Sequence, residues 1–171
     1  MNQGYQCKTC EKWHDELPMS FGVDAPYWYD VIAPEELSWR AELSSDQCII
    51  DNQHYFVRGY IEIPVLDDLG PFVWDVWVSL SEQSFERMSE LWETPGRESE
   101  APYFGWFSTS LPGYPETLNL KTTVHTRPLG ERPLIELEPT DHPLAVEQRE
   151  GITMARVQEI VEIVLHGGAS P

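Results

Sequence analysis

His54-Tyr55-Phe56-Val57-Arg58-Gly59-Tyr60-Ile61-Glu62-Ile63-Pro64-Val65 alternates with a period of two. Tyr55, Val57, Ile61, Ile63 and Val65 fall on one face, and Phe56, Arg58, Tyr60 and Glu62 on the other. That period belongs to a half-buried strand rather than a helix. Phe72 to Leu80 repeats the pattern, with Phe72, Trp74, Val76, Val78 and Leu80 opposed to Asp75, Trp77 and Ser79. Upstream, Asp51-Asn52-Gln53 has turn chemistry and is preceded by the apolar Cys48-Ile49-Ile50, which predicts a hairpin. Downstream, Leu118 to Thr126 and Leu134 to Glu138 read as further strands. The strands follow one another through short connections, with no regular βαβ alternation. The expected fold class is therefore α+β, a mostly antiparallel sheet of about four to six strands flanked by helices.

Helices fill the flanks. Asp24-Ala25-Pro26 predicts a short helix with Asp24 as N-cap, and Pro34-Glu35-Glu36 opens another with proline in its first turn. Ser81 caps a helix from Glu82 to about Glu93 that buries Phe85, Met88, Leu91 and Trp92. A short helix is expected over Pro143 to Gln148, opened by Thr140 or Asp141. The last runs from about Thr153 to Leu165, with Val157, Ile160, Val161, Val164 and Leu165 on one stripe and Gly167-Gly168 ending it. Residues 94–117 read as a loop rich in proline, glycine and aromatics, packed against the rest. Two units are expected: residues 1–18 as a zinc-knuckle-like segment, and residues 19–171 as a single α+β domain packed with it.

The 171 residues carry 29 acids and 11 Lys or Arg, a formal charge of −18. That balance argues against nucleic-acid backbones and anionic membranes as partners, and favours a basic protein. Unevenness sharpens it: residues 1–100 hold 20 acids and 6 bases, a balance of −14. With 41% hydrophobic residues the chain is too rich in core formers to be a disordered tail. Met1 to Tyr5 shows neither a basic nor an apolar leader segment, and no apolar stretch approaches a membrane span. A cytoplasmic location is the expectation.

Cys7-Lys8-Thr9-Cys10-Glu11-Lys12-Trp13-His14 sets three metal ligands within eight residues. Two cysteines separated by two residues can form a knuckle whose turn aims both thiolates at one point, about 2.3 Å away for zinc. Sulfur with imidazole suits zinc best among the common ions. A redox dithiol would call for a CxxC opening a helix after a strand, which this setting lacks. A tetrahedral structural site needs a fourth ligand. Cys48, the remaining cysteine, is the first candidate, with His142, His125 and His54 in reserve. A structural zinc would tie the N-terminal segment to the sheet.

Long strings give a resemblance as well. They include the CxxC…His start, Ser45-Asp46-Gln47-Cys48-Ile49-Ile50-Asp51, Phe56-Val57-Arg58-Gly59, and Val76-Trp77-Val78-Ser79-Leu80-Ser81. Tyr103-Phe104-Gly105-Trp106, Leu111-Pro112-Gly113-Tyr114-Pro115 and Glu138-Pro139-Thr140-Asp141-His142-Pro143-Leu144-Ala145 follow. The chain resembles the bacterial family known as domain of unknown function 2199, almost from end to end. That resemblance implies no activity. It also implies glycine directly after the second knuckle cysteine, where this chain has Glu11; such a turn favours φ > 0.

Other clusters are weaker signals. Arg58, Glu62, Asp75, Ser79, Lys121, His125, Glu136 and Glu138 all fall on reverse faces of their strands. They read as the solvated side of one sheet, or as a surface on which His125 exchanges protons. Glu82, Glu86, Glu90 and Glu93 lie along one helix face, a solvated stripe or a dock for a basic partner. HExxH, P-loop, GxGxxG, GxSxG and zinc-deaminase patterns are absent from the sequence. The expected function is a zinc-stabilised, non-enzymatic binding module that docks or neutralises a basic protein. The alternative is a zinc-dependent hydrolase in which Cys7, Cys10 and His14 leave one metal position open for water.

Overall fold

A computed structural model describes residues 4–167 of the chain. The leader reading at Met1–Gln3 and the helix-ending role of Gly168 lie outside the described residues. Strands β1 (Tyr5–Gln6) and β2 (Trp13–His14) form a small antiparallel ribbon. After β3 (Ser20–Gly22) come two single-turn helices, α1 (Tyr27–Asp30) and α2 (Leu37–Arg40), with a 3₁₀ turn at Pro34–Glu36 between them. Strands β4 (Ala41–Leu43), β5 (Gln47–Ile50), β6 (His54–Ile63) and β7 (Phe72–Leu80) follow. Helix α3 (Glu82–Glu90) leads to β8 (Tyr103–Phe107), β9 (Lys121–His125) and β10 (Leu134–Leu137). Helices α4 (Pro143–Glu150) and α5 (Met154–His166) complete the order.

The expected sheet of mostly antiparallel strands flanked by helices is overturned. Strands β6 to β10 pair in sequence order, and β10 then returns to pair with β6, so the sheet closes into a five-stranded mixed barrel. Successive neighbours from β6 to β10 are antiparallel. An odd number of such strands can close only through one parallel pair, and Leu134 beside Tyr60 is that pair. Strand β3 adds to β7 in parallel, and β5 and β4 extend from β6. Alternation assigns faces correctly but carries no information on curvature, which is why the closure is missing from the sequence reading.

The barrel interior is apolar. Val57 and Ile61 of β6, Trp74, Val76 and Val78 of β7, Phe107, Val124 and Ile135 are all buried in one cluster. Helices cover it with Phe85 and Met88 from α3, Leu144 from α4, and Val157, Ile160 and Val161 from α5. A second cluster lies outside the wall: Phe56 and Trp77, on the nominally polar faces of β6 and β7, pack with Ile32, Cys48 and Ile50. Closure also distributes the expected polar face around a curved wall. Arg58 and Asp75 meet on β6 and β7, while His125 and Glu136 pair at 3.1 Å on β9 and β10.

Local signals survive in detail. Asp51 and Asn52 both take positive φ in the β5–β6 turn, a backbone region these residues tolerate. Ser81 and Thr153 cap α3 and α5, accepting hydrogen bonds from the Ser84 and Arg156 amides. Other expectations shift. Pro26 rather than Asp24 precedes α1, and His142 rather than Thr140 or Asp141 caps α4 through Nδ1. Trp92 lies past the end of α3, partly exposed, with the Arg97 guanidinium over its ring, and Leu165 is exposed. Strand β8 lies inside the stretch read as loop.

Candidate metal centre

The β1–β2 ribbon is joined by a tight turn. The Glu11 amide donates to the Cys7 carbonyl and the Cys7 amide to the Lys12 carbonyl, each at 3.0 Å. The Cys10 amide points at Cys7 Sγ, 3.4 Å away. Glu11 has φ 62°, the left-handed conformation that the glycine implied by the family resemblance would adopt freely. A non-glycine residue there costs about 1 kcal/mol. His14, on β2, sits opposite Tyr5 in register, and the Tyr5 and His14 rings stack at 5.1 Å. Burial, with the neighbouring Cys7 charge second, raises the Tyr5 phenol above its ordinary value.

Helix α5 runs against this ribbon. Gln158, Glu162 and His166 are spaced four apart, so they share one face. Gln158 Nε2 donates to the Gln6 carbonyl at 2.8 Å, and the Lys8 amide donates to Glu162. His166 Nε2 reaches Cys7 Sγ at 3.2 Å, matching the 3.2 Å between Cys10 Sγ and His14 Nε2. Cys7, Cys10, His14 and His166 thus present four donor atoms within 4.8 Å of one another. In a tetrahedral zinc site the ligand atoms stand about 3.4–3.8 Å apart, as the Zn–S and Zn–N bond lengths dictate. Two sulfurs and two imidazole nitrogens, all within 4.8 Å of one another, could hold a metal ion.

The structure therefore brings together Cys7, Cys10 and His14 but supplies a fourth donor that sequence reasoning did not consider. Cys48 is elsewhere, in the second apolar cluster, where burial, and then the Asp30 charge, push its thiol up to about 12. A thiol so reluctant to ionise is a poor metal ligand. His54 begins β6, His125 pairs with Glu136, and His142 caps α4 while its Nε2 lies 3.1 Å from the Glu116 carbonyl oxygen. The available signal for His166 was the i, i+4, i+8 spacing of Gln158, Glu162 and His166, which sets three polar side chains along one face of α5.

A cavity of about 880 Å³ lies apart from this centre, lined by Asp46, Tyr60, Asp75, Arg127 and Arg132 among others. Several of its charges are paired. Arg58 binds Asp75 through two 2.8 Å hydrogen bonds, and Arg132 binds Asp46 at 2.8 Å and Asp75 at 3.1 Å. Arg127 pairs with Glu62 at 2.9 Å. Tyr60 lies under both the Arg127 and Arg132 guanidinium groups.

The fold and the centre together define a small mixed barrel with a Cys₂His₂-type donor cluster at one side. By sequence, the chain belongs to the bacterial family described as uncharacterised protein conserved in bacteria (DUF2199), whose model matches residues 6–152. His166 lies beyond that matched stretch. No curated protein and no solved structure matches the chain significantly. Among the described residues, no helix is long and apolar enough to cross a membrane.

Proposed function

We propose that the protein is a non-enzymatic binding module, fastened by one structural zinc ion, that engages a basic protein partner. The observation that carries the metal is the four-donor group itself. Four protein donors complete a tetrahedron and leave no position for a reactive water, the pattern of structural rather than catalytic zinc. That favours the module over the hydrolase. Two thiolates with two imidazoles suit zinc above calcium or magnesium. The ion would join β1–β2 to the end of α5, and its binding energy would add to folding. The partner's basic character follows from the formal charge of −18, which speeds encounter with cations and repels anions.

Metal analysis of protein purified from zinc-replete cells tests the centre. The expected result is one zinc per chain, lost in Cys7→Ser and in His166→Ala but retained in Cys48→Ala. Metal-replete protein without zinc would overturn the centre. Zinc retained by His166→Ala with its affinity unchanged would remove the helix from it.

A further inference from the structure

Segment 24–43 combines two properties seldom placed together on a surface. It exposes Trp28, Val31 and Trp39, the last 72% exposed, on α1, the turn after it, and α2. It also carries five acids, Asp24, Asp30, Glu35, Glu36 and Glu42, against one base, Arg40. Arg40 is neutralised, forming two 2.9 Å hydrogen bonds to Asp51 and a longer ion pair to Glu36. Beside this segment a cleft of about 740 Å³ is lined by Trp28, Arg40, Asp51, His54, Phe56 and Trp106 among others. Its far wall is the outer face of β8. Strand alternation there turns Gly105 and Phe107 inward and leaves Phe104 and Trp106 outward, packed edge to face at 5.0 Å. On the near wall Tyr27 and Trp28 form a second edge-to-face pair at 5.1 Å.

We infer that this cleft is the docking surface for a basic, amphipathic segment of another protein, with apolar side chains seated between Trp28 and Trp106 and Lys or Arg against the acids of segment 24–43. The inference rests on the binding-module reading above and names its surface. Aromatic anchors that are rigid and already exposed bind at low entropic cost. Charge selects the occupant. A second copy of this chain would bring its own −18, and nucleic acid or an anionic membrane would be repelled. Lys121 stands opposite Trp106 in the β8–β9 register, a base beside the far wall.

The test is a titration of the full chain at about 0.15 M salt. Three synthetic peptides of equal length serve as probes: lysine–leucine patterned as an amphipathic helix, lysine–serine of the same charge, and glutamate–leucine. Tryptophan fluorescence and calorimetry report binding. The lysine–leucine peptide should bind at least about tenfold tighter than either control. The Trp28→Ser/Trp106→Ser variant should lose that preference, and so should Trp39→Lys, whose exposed side chain can change without a folding defect. Glu86→Gln/Glu90→Gln on α3 should retain it. A preference that survives both tryptophan variants, or that α3 carries instead, overturns the cleft and leaves the module reading standing. A glutamate–leucine peptide that binds equally well overturns the charge selection. No binding of either lysine peptide overturns the basic-partner reading as well. Zinc content measured on the same samples tests the metal centre separately.

Discussion

Cys7 and Cys48 are each 1% exposed, yet their surroundings assign them opposite chemistry. Cys7 has an amide and an imidazole on its sulfur; Cys48 has Phe56, Trp77 and Ile50. We expect iodoacetamide to leave Cys48 unmodified in folded protein near neutral pH, while chelator-stripped protein is labelled at Cys10, the partly exposed knuckle thiol. Mass spectrometry of the peptides decides. Burial also links Cys48 to pH. Its folded value of about 12 lies above the ordinary 9.0, so the unfolded chain loses this proton first. Its contribution is therefore intact below about pH 9 and falls as pH rises toward 12. The stability advantage of the native chain over Cys48→Ala, read from urea midpoints, should shrink across that window. Glu11 supplies a further outcome: Glu11→Gly should raise stability by about 1 kcal/mol, since the backbone there is left-handed. Residue identities alone located the knuckle. They did not bring His166 forward, because the fourth donor depends on which element the chain folds back onto.

At the scale of elements, the barrel seam is the weak join. Strand β6 pairs along all of β7 on one edge, but its other edge is divided between β5 and a single register position with β10. Gly59 permits the approach: a Cβ there would stand 2.7 Å from both Ile135 Cδ1 and the Pro133 carbonyl oxygen. The Arg58–Asp75–Arg132–Asp46 network braces the same region, with Asp75 15% exposed at its centre. Removing Asp75 strips Arg58 of its bidentate partner and leaves Arg132 with Asp46 alone. Asp75→Ala should lower the unfolding free energy by about 3 kcal/mol, read from urea unfolding. Single elements were legible where one face was apolar and the other was not: β6, β7 and α3 emerged close to their observed bounds. Strand β8 was missed because Phe104 and Trp106 are aromatic on its solvent face, which erased the alternation.

For the molecule as a whole, the closed wall and the fold-back of α5 are long-range facts that local periodicity cannot encode. Five antiparallel-looking strands read equally well as an open sheet. Only the parallel contact of β10 with β6 distinguishes the barrel, and it joins residues 60 and 134. Charge acts at this scale too. A formal −18 on a chain of 171 residues repels itself, so added sodium chloride should raise the urea midpoint, in contrast to the salt-weakened binding expected of the lysine peptides.

The Gln6–Gln158 and Cys7–His166 contacts place the beginning and the end of the described chain side by side. A circular permutant becomes a practical object: a short linker can join the two ends of the described chain while a new opening is cut at the Asp68–Gly70 turn, where Leu69 is fully exposed. In such a chain the two halves of the donor cluster become near neighbours in sequence. The cluster would then form early and locally, where the native order must first bring together segments 159 positions apart.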